Sequence, residues 1–220
     1  KSGSDYLANY NNTTNSNELR CFSMMIWTDF VTFGPPEHVY QYEKGVVDDL
    51  KFYSEKTNPL KNKNEEHFRK IAIICLYSYY TAFNSIDSRM KKSDLEIETI
   101  LDEFYRIAKN VESNSVEIIE ASTAAFAIVL LKYINEKIFF FRTKQLIALI
   151  SSFQRQTDES DTVFNVVFKL ALVCLKNTDL LDFFEPLVDV LSNAIQRHFI
   201  SDSAVDDITQ SIIELGDKAP

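Results

Sequence analysis

The chain has 220 residues, 32 acidic and 23 basic side chains, a net charge of −9 and an isoelectric point near 4.9. An acidic chain repels phosphate backbones, and the basic pairs Arg69-Lys70 and Lys91-Lys92 are too sparse to overcome that, so direct nucleic-acid binding is excluded as a working reading. Apolar residues at 45% and aromatics at 13% supply an ample core and exclude a disordered chain, and the length implies one large domain or one repeat array.

Residues 1–16 are rich in Ser, Asn, Thr and Gly and are expected to form a flexible leader. The glycosylation pattern at Asn11 and Asn12 is read as chance in that Asn-rich stretch. A first helix begins at Asn17, with Leu19, Phe22, Met25, Ile26 and Phe30 at helical spacing, and Gly34-Pro35-Pro36 stops it. A second runs over about 37–56, with Val39, Tyr42, Val46, Leu50 and Tyr53 as its stripe. The third, about 65–84, is apolar on every side from Ile71 to Tyr77 and is expected to be the most buried. The Tyr77, Tyr79 and Tyr80 group belongs to that core. Ser93 with Glu96 three residues on forms a capping box for a fourth helix over 94–111, with Leu95, Ile97, Ile100, Leu101, Phe104 and Ile107 inward.

Ser113-Asn114-Ser115 breaks the chain before a fifth helix at 116–136. A sixth follows at 138–155, with Leu146, Leu149, Ile150 and Phe153 as its stripe. After the polar stretch 158–161 come a seventh helix at 162–176, an eighth at 179–199 in which Pro186 bends or delays the start, and a last one from 203 closed by Gly216. Residues 217–220 are a tail. Only 4 Gly and 5 Pro occur, almost all where the apolar period breaks, which makes the chain all-α.

The third, fifth and seventh helices start near 65, 116 and 162, so each interval of roughly 50 residues holds one helix pair. Periods of about 40–47 residues with two or three helices mark armadillo and HEAT repeats. The chain resembles that class of α-solenoid over residues 17–216 in period and amphipathicity, without a repeated motif at fixed positions. The resemblance implies a right-handed α-α superhelix of about nine paired helices in a single helical-repeat domain. An irregular helical bundle is the alternative.

No nucleophile elbow, Walker-type loop, zincin helix or paired-Cys motif is present, and four glycines cannot build a phosphate cradle. The acid pairs Asp48-Asp49 and Asp206-Asp207 read as solvated faces. Cys21, Cys75 and Cys174, and His38, His67 and His198, are too scattered for disulfide or metal spacing, so the thiols are expected to be free and buried in a reducing compartment. No catalytic residue, cofactor or metal is expected.

No apolar run reaches the roughly 18–20 residues of a membrane helix, no signal peptide is evident, and the chain lacks an initiator Met. The expectation is a domain of a larger intracellular protein, in cytoplasm or nucleus, that acts as a protein-binding scaffold or adaptor.

In α-solenoids the second helices of the pairs commonly line one continuous surface. By that resemblance the acids Asp182, Glu185 and Asp189 on the eighth helix, and Asp94, Glu98 and Asp102 on the fourth, would face a basic or mixed-charge peptide segment or a folded partner. A second candidate is the Phe139–Phe141 run, where Phe140 and Phe141 point away from the stripe and Lys144 rims the patch, with Arg142 nearer the stripe and paired with an acid. The lone Trp27 reads as core or cap packing. Two alternatives stay open: an all-helical regulator such as a GTPase-activating domain using Arg89, Arg142 or Arg155, and a purely oligomeric module.

Overall fold

The computed structural model describes residues 16–55, 63–82, 92–133, 141–153 and 168–171, with isolated positions between 182 and 206. Every regular element among them is helical: α1 Asn17–Phe33, α2 Pro36–Glu55, α3 Lys63–Ala82, α4 Asp94–Lys109, α5 Val116–Tyr133 and α6 Arg142–Phe153. Residues 168–171, inside the expected seventh helix, are helical as well. So are 185, 186, 188, 189 and 192 of the expected eighth, and 206 of the last. No described helix is long and apolar enough to cross a membrane.

The helix ends follow local chemistry. The Ser16 hydroxyl accepts the Leu19 N–H at the start of α1, and the Gly34 N–H closes that helix on the Phe30 carbonyl at 2.8 Å. A Cβ on Gly34 would stand 2.4 Å from that carbonyl oxygen and 2.8 Å from Val39 Cγ2, so only glycine fits the tight α1–α2 joint. Pro36 opens α2, where its missing N–H costs nothing. The expected capping box at α4 forms in full: Ser93 accepts from the Glu96 N–H, and the Glu96 carboxylate accepts from the Ser93 N–H at 2.8 Å.

The chain divides into two compact units, Lys1–Val129 and Leu130–Pro220, with the boundary inside α5. In the first unit α3 packs on both α1 and α2, which also touch each other. Phe68 of α3 meets the Tyr53 ring edge-on at 5.0 Å and receives the Arg20 guanidinium over its face at 4.0 Å. Arg20 reaches Glu65 at 3.3 Å, so a buried cation pins α1 to α3.

Several expectations are corrected. The apolar residues assigned to the first helix do not form its inner stripe: Leu19, Phe22, Met25 and Ile26 are exposed, and the buried side is Arg20, Cys21, Met24, Thr28, Val31 and Thr32. Part of the inner side is polar: Thr28 donates to the Met24 carbonyl at 2.9 Å, whereas the buried Thr32 hydroxyl makes no hydrogen bond among the described residues. Leu95, expected inward, is 73% exposed. The helix buried all round is α5 rather than α3. Every residue from 121 to 127 is buried there, whereas Ile71, Ile74 and Tyr77 are each half-buried. That stretch consists mostly of small side chains, Ala121, Ser122, Thr123, Ala124, Ala125 and Ala127, which leave little surface to expose. In the second unit α6 begins at Arg142, and Phe141 lies in the turn before it.

Candidate functional site

The outer side of α1 carries the largest run of exposed apolar side chains on any described helix. Leu19, Phe22, Met25, Ile26 and Phe33 are 48%, 62%, 48%, 50% and 73% exposed. At about 100° per residue, Leu19, Phe22, Ile26 and Phe33 fall within about 60° of one another, opposite Met24, Thr28 and Val31. One border holds Met25 with the exposed acids Glu18 and Asp29. Hydrogen bonding at its own backbone and from Ser16 lowers the Glu18 pKa, so that carboxylate is charged at neutral pH. The other border is uncharged: Ser23, Phe30 and Trp27. Trp27 packs edge-on to Phe30 at 5.5 Å and against Tyr42 of α2 at 5.5 Å. Its packing role is therefore met, and it stays half-buried at the margin of the face.

A second feature is a cleft of about 590 Å³ lined by α2, the end of α3 and the start of α4. Its wall is a charged triad. The Tyr79 hydroxyl donates to Glu43, and the Lys92 ammonium bonds both the Tyr79 oxygen and Glu43, the latter at 3.2 Å, while lying 4.1 Å over the Tyr79 ring. Burial, then the hydrogen bond to Glu43, raises the Tyr79 pKa, so the phenol holds its proton. Lys44, Lys51, Asp48 and Glu96 are the other charged residues of the lining. Cations and anions balance, and the triad satisfies itself, so the cleft selects neither charge and presents no activated nucleophile or base.

A third feature is a buried polar network. The Arg69 Nε donates to the Ser54 carbonyl at 2.6 Å and its Nη1 to Asn114 Oδ1 at 2.6 Å, and Asn114 donates on to the Ile107 carbonyl at 2.7 Å. The Ser54 hydroxyl stands 2.8 Å from the Lys51 carbonyl and 2.7 Å from Glu103 Oε1. A hydroxyl has one proton, so it serves both acceptors only when Glu103 is itself protonated and donates. Burial raises the Glu103 pKa to about 6, against the Ser54 hydrogen bond and the fields of Lys51 and Arg106. The network knits α2, α3 and α4 together.

The residues singled out from sequence are placed as follows. Asp94 and Asp102 are exposed and Glu98 is half-buried on α4. Asp94 also lies in the first turn, where a carboxylate offsets the helix dipole. Asp182, Glu185 and Asp189 are exposed, although most residues around them lie outside the described set. Phe141 is 50% exposed and Lys144 exposed, and Phe140 lies outside the described residues.

Arg142 is buried, donates to Gln145 at 3.0 Å and lies 4.7 Å over the Phe141 ring. It is therefore not available as a protruding arginine. Arg89 and Arg155 lie outside the described residues. Cys21 and Cys75 are free and buried, Cys75 with its pKa raised to about 11 by burial. Cys174 lies outside the described residues. Among the described residues no group of His, Cys, Asp and Glu could hold a metal ion.

The α1 face was visible in the sequence as a stripe and was given the wrong direction. The distinguishing signal was Arg20 with Glu65: a cation and an acid placed to meet inward leave the purely apolar side outward.

No protein-family model, curated protein or solved structure matches this chain.

Proposed function

We propose that the chain is a protein-interaction scaffold or adaptor domain that docks a peptide segment or folded partner and carries out no reaction of its own. The observation that supports this reading best is the exposed apolar face of α1. Contiguous apolar side chains on the outside of a charged domain mark interaction sites far more often than they serve a monomer. The reading extends to an α-solenoid arrangement, with helix pairs stacked along the chain and the acids of the fourth and eighth helices adding a charged flank that attracts basic partners. No cofactor enters it.

The test is comparative capture. The wild-type chain and a Phe22→Ser, Ile26→Ser variant are used as bait in parallel, after matched thermal melts show both folded. Proteins retained by the wild type and lost by the variant support docking on α1. Identical captures by both baits would remove the α1 face from the proposal.

A further inference from the structure

We infer that the outer face of α1 receives a basic amphipathic helix of a partner protein, its apolar stripe seated on Leu19, Phe22, Ile26 and Phe33 and its flanking cations against Glu18 and Asp29. This rests on the protein-interaction reading and names the partner's chemistry. The face runs from residue 19 to 33, about 21 Å along the axis, which matches about four turns of a facing helix. Apolar area of this shape is read by i, i+3, i+4 and i+7 anchors.

Charge then selects the occupant. The acidic border holds two exposed carboxylates. The only basic residue of α1 is Arg20, buried on the opposite side, and the charge of the exposed His67 of α3 acts only weakly on Glu18, after hydrogen bonding and burial. A second copy of the chain docked through the same face supplies no cation from the described residues of that face. Packed antiparallel, it sets Glu18 and Asp29 against their own copies, and packed parallel it sets them against Ser23 and Trp27. The first fifteen residues are an equally poor match in composition, with Lys1 as their only cation and Asp5 to offset it. A helix with Lys or Arg beside its apolar stripe satisfies both the apolar area and the carboxylates.

Trp27, the only tryptophan, stands at the margin of the face and reports its occupancy by fluorescence. Two tryptophan-free helical peptides of about four turns share one Leu/Ile stripe, one flanked by Lys and the other by Glu. Each is titrated into the full chain. The Lys-flanked peptide is expected to bind at least about tenfold more tightly, a difference of about 1.4 kcal/mol, and to shift Trp27 emission. Glu18→Lys with Asp29→Lys should reverse the preference, and Phe22→Ser with Ile26→Ser should abolish binding of both peptides. Asp29→Lys alone serves if the double reversal melts early.

Equal affinity for the two peptides overturns the basic partner while leaving the docking face. Binding by neither overturns the docking reading itself. Reversal at Asp182, Glu185 and Asp189 that weakens binding as much as reversal at Glu18 and Asp29 assigns the effect to overall charge and overturns the local site. A concentration-dependent dimer lost in the Phe22→Ser variant makes a second copy the occupant. Tighter peptide binding after deletion of residues 1–15 makes that segment the occupant. Either result overturns the proposal.

Discussion

Glu103 is the residue whose chemistry has the clearest reach. Its folded pKa of about 6 lies above the ordinary 4.5, because burial disfavours the carboxylate and outweighs the Ser54 hydrogen bond, with the nearby Glu55 charge pushing the same way as burial. The folded state therefore holds this proton more tightly than the unfolded state does. Its contribution is fully present below pH 4.5 and is lost as the pH rises to about 6. Glu103→Gln keeps a donor for Ser54 and carries no charge. The variant should be more stable than wild type at pH 7, by on the order of 1–2 kcal/mol, and the two should converge near pH 4.5. Urea midpoints at three pH values across that window check this, and parallel pH profiles would count against a buried neutral acid. The sequence could not show the effect: Glu103 sits among charged neighbours on α4, and only the fold brings Ser54 from α2 against it.

At the scale of elements, two adjacent positions on α3 separate the expected from the observed packing. Ile73 is fully buried and Ile74 half-buried. Ile73→Asp should cost several kcal/mol and abolish the folding transition, because an unpaired carboxylate there has no route to water. Ile74→Asp should cost clearly less, and circular dichroism melts of the pair give the comparison. Gly34→Ala should destabilise by about 1–3 kcal/mol, since the new methyl displaces either the Phe30 carbonyl that caps α1 or Val39. A wild-type melting temperature in that variant would mean the joint relaxes freely.

The existence of α1 to α6 and the capping box at Ser93 were legible because they depend on residues close in sequence, but the start of α6, expected at 138 and found at Arg142, was not. Which side of a helix faces inward depends on its neighbours. The apolar stripe of α1 faces outward because Arg20 finds its partner, Glu65, on the inner side, a pairing that hydrophobic spacing does not encode. Burial of α5 was missed because Ala, Ser and Thr carry little apolar area, though they allow the closest approach. The α1 face was thus legible as a pattern and illegible as a surface.

For the whole molecule, the −9 charge sets how partners arrive. Asp182, Glu185 and Asp189 are exposed, so reversing all three to Lys should leave stability within about 0.5 kcal/mol of wild type. It should slow association of the Lys-flanked peptide at low salt while leaving its dissociation rate unchanged, because the net field of the molecule steers encounter whereas the proposed contact is on α1. The difference should vanish as salt shortens the screening length to a few Å. Stopped-flow mixing followed through Trp27 resolves the two rates. A changed dissociation rate would place these acids inside the contact instead.

The outward stripe on α1 also makes the domain a poorly protected colloid. At neutral pH mutual repulsion holds copies apart, and the apolar patches rarely meet. Near pH 4.9 that repulsion disappears while the patches remain. Solubility should therefore fall to a sharp minimum there, and Phe22→Ser should broaden and lift that minimum although it changes no charge. Storage, concentration and crystallisation of the domain are best attempted well above that pH, or with a ligand covering α1.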